Sequence, residues 1–137
     1  PFEPERCTPD AAAPLAGKRR FPSAVFDVLD CRELRCFHLF GGYADRLLRL
    51  GPGLAVAAEQ CGDTLLLHEL LCDRPVDWET LAARLPFRNI RRVEFGFPPD
   101  RLGVEFDWDT PPEPEHLFLR GGWDLPENFS IPAFAVT

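Results

Sequence analysis

The chain has 137 residues, a formal net charge of −7, 45% hydrophobic residues and 27% charged ones. That length suits one domain able to fold without a covalent staple, and the balance of apolar and charged residues excludes a wholly disordered chain. No run approaches the roughly 18 apolar residues of a membrane span, and residues 1–17 lack the charged-then-apolar pattern of a signal peptide.

In chain order, residues 1–22 carry Pro1, Pro4, Pro9, Pro14 and Pro22 around Ala11-Ala12-Ala13. With no large apolar period to bury, this stretch is expected to be a linker or strap. Residues 23–137 then read as a single α+β domain. Ala24 to Leu29 has the character of a strand. Leu34, Phe37, His38, Leu39 and Phe40, within 31–43, include the three-and-four spacing of a short helix ended by Gly41-Gly42. A strand is expected over 45–50, broken by Gly51-Pro52-Gly53. Two apolar runs, 54–59 and 64–70, flank a short turn containing Gly62-Asp63 and form a β-hairpin.

Asp77 is the expected N-cap of a helix over 78–85, with Glu79 favouring the positive end of its dipole. Trp78, Leu81, Ala82 and Leu85 share one face of that helix, which docks on the sheet. A further strand runs over 92–97. Residues 104–109 alternate apolar and acidic without a slip, which predicts a half-exposed strand with Val104, Phe106 and Trp108 inward. A proline-rich acidic loop over 110–115, a strand at 117–119 and an extended strap over 125–137 complete the chain. The sum is a mixed, mostly antiparallel sheet of about six strands with two short helices.

The charge is unevenly placed. Between Asp100 and Glu127, eight acidic residues stand against Arg101 and Arg120, a net of −6 out of the chain's −7. A solvated face is the default reading of this stretch, and attraction of a cationic amine or partner is the sharper one. An acidic chain is a poor partner for nucleic acid or an anionic membrane, both of which demand a basic footprint. Arg84, Arg88, Arg91 and Arg92 come nearest to one. They straddle a helix end and a strand start, which reads as a solvated edge before an anion site.

Five cysteines (Cys7, Cys31, Cys36, Cys61 and Cys72) and no signal peptide point to reduced thiols in a cytoplasmic protein. No C-x-x-C pair supports a zinc ribbon or a redox motif. Cys31, Cys36 and His38 match no common metal spacing. His68-Glu69-Leu70-Leu71-Cys72 has a superficial likeness to the H-E-x-x-H helix of zinc proteases, but the second histidine is missing and the run reads as a strand. No metal is expected. Cys36, His38, His68 and Glu69 are the reactive groups expected to line a substrate or partner cleft, with Cys36 or Cys72 beside a histidine as the form a nucleophile would take. Phosphate-binding glycine loops and the G-x-S-x-G elbow are absent. Nothing in the residues assembles nucleophile, base and oxyanion donors, so catalysis by this segment alone is not expected.

Several stretches, read as an ordered set, carry a resemblance. They are Ala24 to Asp30, Leu54 to Gln60, Gly62 to His68, Val76-Asp77, Arg92 to Asp100, Leu117 to Gly121 and Phe129 to Pro132. Together they resemble the C-terminal half of a group of bacterial GNAT-superfamily acyl-CoA N-acetyltransferases, over residues 18–137. The resemblance implies a second module beside a catalytic one, a degenerate half of the same fold that shapes the acceptor-amine side of the cleft or a subunit interface. It also implies an upstream catalytic domain, an oligomer as one arrangement, and acetyl-CoA as the cofactor of the whole protein. In that superfamily an [RQ]-x-x-G-x-[GA] turn at a helix start holds the pyrophosphate. No segment here matches that turn, so no cofactor-binding residue carries over, and residues 133–137 match only loosely. The absence of methionine throughout is expected of a piece of a longer chain, or of one whose initiator is removed. The alternative is a stand-alone binding or protein-interaction module using a hairpin edge and the acidic face.

Overall fold

The computed structural model describes residues 3–19, 23–25, 32–109, 127–128, 131 and 134. In chain order these form strand β1 (Glu5–Arg6), helices α1 (Pro9–Lys18) and α2 (Arg32–Phe40), and strands β2 (Leu47–Gly51), β3 (Leu54–Cys61) and β4 (Thr64–Cys72). Helix α3 (Trp78–Arg84), strand β5 (Arg92–Phe95) and a 3-10 turn at Asp100–Leu102 follow. The five strands lie in sequence order, antiparallel except for the parallel pair β4–β5, which α3 connects. The α+β class and mixed sheet agree with the expectation from sequence.

The expected hairpin is the pair β3–β4. Its turn is Gly62-Asp63, with Gly62 at φ +64° in the first central position, the place a type II′ turn reserves for glycine. Further along, Ala57 faces Glu69 while Ala58 faces Leu67, so His68 is an extra residue in β4, a β-bulge. β5 pairs with β4 only from Thr64 to Leu67. There the backbones nearly touch: a Cβ on Gly96 would lie 2.5 Å from the carbonyl oxygen of His68, so only glycine fits.

The sheet is covered on both faces. Leu50, Val56, Leu65, Leu67, Leu70 and Cys72 pack on the α3 side with Leu81 and Phe97. Leu47, Ala55, Ala57 and Leu71 pack on the other side against Ala12 and Ala16 of α1 and Leu39 of α2. Helix α3 starts as the sequence demands: Asp77 caps it by accepting a 2.7 Å hydrogen bond from the Thr80 N–H. Leu81 and Leu85 are buried and Trp78 half-buried as expected, whereas Ala82 is exposed.

Two expectations need correction. The lead segment is no bare strap, because it supplies β1 and α1, a helix among the described residues beside the two expected. Thr8 caps α1 through the Ala11 N–H at 3.3 Å, Pro9 opens it, and Pro14 stays on its exposed side. Its buried stripe is only Ala12 and Ala16, one turn apart, too small to register as an apolar period. Residues 104–109 join no ladder among the described residues. Val104 and Phe106 are half-buried as expected, but Trp108, expected inward, is 39% exposed, and alternation leaves open whether the backbone finds a partner. The expected strands at 24–29 and 117–119, the loop at 110–115 and the strap at 125–137 fall wholly or mostly outside the described residues.

Candidate functional site

The bulge in β4 organises the most concentrated group of polar and aromatic side chains on the α2 side of the sheet. In a regular strand, consecutive side chains point to opposite faces. The extra residue breaks that rule: His68 meets Tyr43, which follows α2, while Glu69 meets Arg35 within α2. His68 Nε2 donates to Glu59 Oε1 of β3 at 2.9 Å. The same oxygen accepts from Arg46 Nε at 2.9 Å. The Arg46 guanidinium first, and the His68 hydrogen bond second, hold the Glu59 carboxyl below the usual carboxylate range.

Aromatic rings close the other side. Tyr43 lies 4.9 Å from His68 and 4.6 Å from Phe134, centroid to centroid. Phe134 stacks on His38 of α2 at 5.3 Å. His38 and His68 are thus joined through two rings, although 30 positions separate them in sequence. The cluster is half open, with His68 20% and Glu59 31% exposed.

Because its folded pKa is depressed, Glu59 contributes stability above the ordinary carboxylate range and loses it as pH falls through the lowered value. Glu59→Gln should therefore melt below the parent protein at pH 7. The gap between the two melting curves should close as the pH drops below 4.

Of the remaining expected residues, Glu69 and Cys36 lie elsewhere on the same face and Cys72 lies on the α3 side. Glu69 is buried, with Oε1 accepting from Arg19 at 3.2 Å and 3.1 Å and from the Leu70 N–H at 2.9 Å. Arg35 Nε lies 4.0 Å from its other oxygen. Burial pushes the Glu69 carboxyl up, and the two arginines oppose that. Cys36 of α2, half-buried, packs beside the cluster that includes Leu39, Ala55 and Leu71. Burial pushes the Cys72 thiol up to about 11, which keeps it protonated and unreactive at neutral pH. Among the described residues no three of His, Cys, Asp and Glu gather as metal ligands.

Sequence reasoning missed Glu59, Arg46 and Tyr43. Their meeting with His68 depends on the bulge, which has no residue signature. Chemically, the cluster holds an imidazole in one orientation against a carboxylate, under an aromatic cover.

A second place to consider is the loop between β4 and α3, where a helix start follows a central strand. A small cavity of about 290 Å³ lies there, bordered by Gly53, Pro75, Val76 and Asp77. Asp77 occupies the helix start, and hydrogen bonds from Thr80 hold its carboxyl below the usual range. Arg74 is turned to Asp73 and the Pro52 carbonyl. Arg84 donates to the Leu50 carbonyl at 3.3 Å. Arg88 donates to the carbonyls of Leu85 and Phe87, and Arg92 pairs with Glu94 and Asp109. Arg74, Arg84, Arg88 and Arg92 thus turn to separate carbonyls and carboxylates. Comparison with protein-family models, curated proteins and solved structures gives no match.

Proposed function

We propose that this chain is an accessory domain of a GNAT-type N-acetyltransferase that binds no cofactor itself. It works beside a catalytic domain, shaping the acceptor-amine side of that domain's cleft or an interface between subunits. The observation that carries this reading is the Asp77 carboxylate at the start of α3. A pyrophosphate needs free N–H groups at the positive end of a helix. Here Asp77 takes the Thr80 N–H, Asp73 adds a second carboxylate against Gly53, and Pro75 stands in a loop without glycine. An incoming anion meets negative charge where it needs donors.

A second reading, a stand-alone interaction module, is favoured by Phe37 and Phe40, which are 67% and 52% exposed on α2. Solvent-facing aromatics grouped on one helix mark a surface that another body covers. Among the described residues no helix is long and apolar enough to cross a membrane. The free thiols of Cys7, Cys36, Cys61 and Cys72 support a cytoplasmic location.

The test follows release of free coenzyme A from acetyl-CoA by the purified chain over a panel of primary amines. The proposal expects no release above the buffer rate with any amine. Amine-dependent release that disappears in His68→Ala would make the bulge cluster an active site and overturn it.

A further inference from the structure

A cavity of about 860 Å³ lies on the α3 side of the sheet between β5 and the segment 104–109. It is remote in character from the His68 cluster, which faces α2. Its size falls within the range of sites that enclose small ligands.

Two aromatic corners form its walls. Trp78 and Phe95 meet edge to face at 5.7 Å and 72°, and Phe106 and Trp108 do the same at 5.5 Å and 70°. Perpendicular rings present both an edge and a π-face, and the negative π-face attracts a cation within about 6 Å of its centroid. Phe106 and Trp108 meet across Asp107, and the exposed Glu105 and Asp107 border the same cavity as the two rings.

The charge has the matching sign. Four carboxylates (Glu94, Glu105, Asp107 and Asp109) border the cavity against the guanidiniums of Arg91 and Arg92. Arg92 is engaged by Glu94 at 3.1 Å and by Asp109 at 3.3 Å, which ties β5 to the far end of the segment. Glu105 and Asp107 enter no ion pair among the described residues. An anion would be repelled here, and a neutral apolar guest would leave these carboxylates unanswered.

We propose that this cavity is a binding site for an organic cation, an alkylammonium group seated between the aromatic corners and faced by Glu105 and Asp107. The group could be a free amine or the side chain of a lysine in an extended peptide, since both offer the same ammonium on an apolar stem. The inference does not rest on the acetyltransferase reading, because the recognition is of charge and shape and needs no N–H.

Calorimetric titration of the full chain tests it with tetramethylammonium, n-butylammonium, a short lysine-containing peptide and neopentyl alcohol as the uncharged isostere. Saturable binding of at least one cation is expected, with none by the alcohol. Trp108→Ala should weaken that binding about tenfold. Glu105→Gln with Asp107→Asn should weaken it and flatten its dependence on salt. Trp108 is 39% exposed and both acids lie at the surface, so these changes leave the core intact. Tighter binding of the peptide than of n-butylammonium would assign the cation to a protein partner, and the reverse order to a free amine. No saturable binding of any cation, equal binding of the alcohol, or binding unchanged in both variants would overturn the proposal.

Discussion

Glu69→Ala is expected to be among the most damaging single substitutions in the chain. Its carboxylate is 1% exposed and lies among Arg19 and Arg35, whose side chains are 1% and 5% exposed. Removing it takes from two buried guanidiniums a carboxylate that faces them both, which costs about 3–5 kcal/mol. For a domain of this size the thermal midpoint should fall by roughly 10–20 °C, a large share of the roughly 5–15 kcal/mol that holds such a fold. The cluster couples the end of α1 and the middle of α2 to the sheet, so the loss should appear as early melting of the helical signal. Replacing all three residues together by apolar ones of similar volume should restore much of the stability, because the desolvation cost disappears with the charges. Thermal melts followed by circular dichroism read both results. A single variant as stable as the parent would show that water reaches the cluster.

Phe97→Ala is the second. Phe97 is 1% exposed and follows Gly96, at the point where β5 leaves β4. Its ring meets Phe95 at 6.0 Å and packs with the Leu67, Leu70 and Leu81 cluster. Truncation removes a large apolar side chain and leaves a cavity, at a cost of about 3–5 kcal/mol. Chemical denaturation should show a lower midpoint with an unchanged slope, as expected when the native state alone is weakened. Phe97→Leu, which keeps most of the volume, should lose much less. Equal losses for the two would mean that the edge-to-face contact with Phe95 matters more than filling the space.

What the sequence made legible follows from which signals are local. The hairpin was readable because a glycine at the first turn position and two apolar runs lie within a few residues of one another. Helix α3 was readable because Asp77, Glu79 and the apolar positions Trp78, Leu81 and Leu85 lie within nine residues of one another. Helix α1 was not, because its contact with the sheet needs only the small surfaces of Ala12 and Ala16, while its prolines argue locally for a break. The segment 104–109 has the alternation of a strand and the environment of a cavity wall, and pairing is a property of the neighbour.

The candidate site was legible only in part. Four residues, Cys36, His38, His68 and Glu69, stood out by type, and all lie on the α2 side of the sheet. The bulge decides what they do. It turns His68 toward Glu59 and Tyr43 and sends Glu69 into an ion cluster with Arg19 and Arg35. No residue pattern announces an inserted position in a hairpin, so Glu59 and Arg46 could not be paired with His68 in advance. The loop before α3 was the reverse case, since the missing glycines and the capping Asp77 were visible in the sequence itself.

The most direct measurement is a thermal-shift titration of the full chain with acetyl-CoA up to millimolar concentration, with adenosine bisphosphate and acetate as controls. A ligand at ten times its Kd adds about 1.4 kcal/mol, which raises the melting temperature of a domain this size by roughly 4–5 °C. An accessory domain whose α3 start is closed by Asp77 should show no shift. A saturable shift specific to acetyl-CoA would mean that the pyrophosphate finds donors despite that carboxylate, and would contradict the account at its centre.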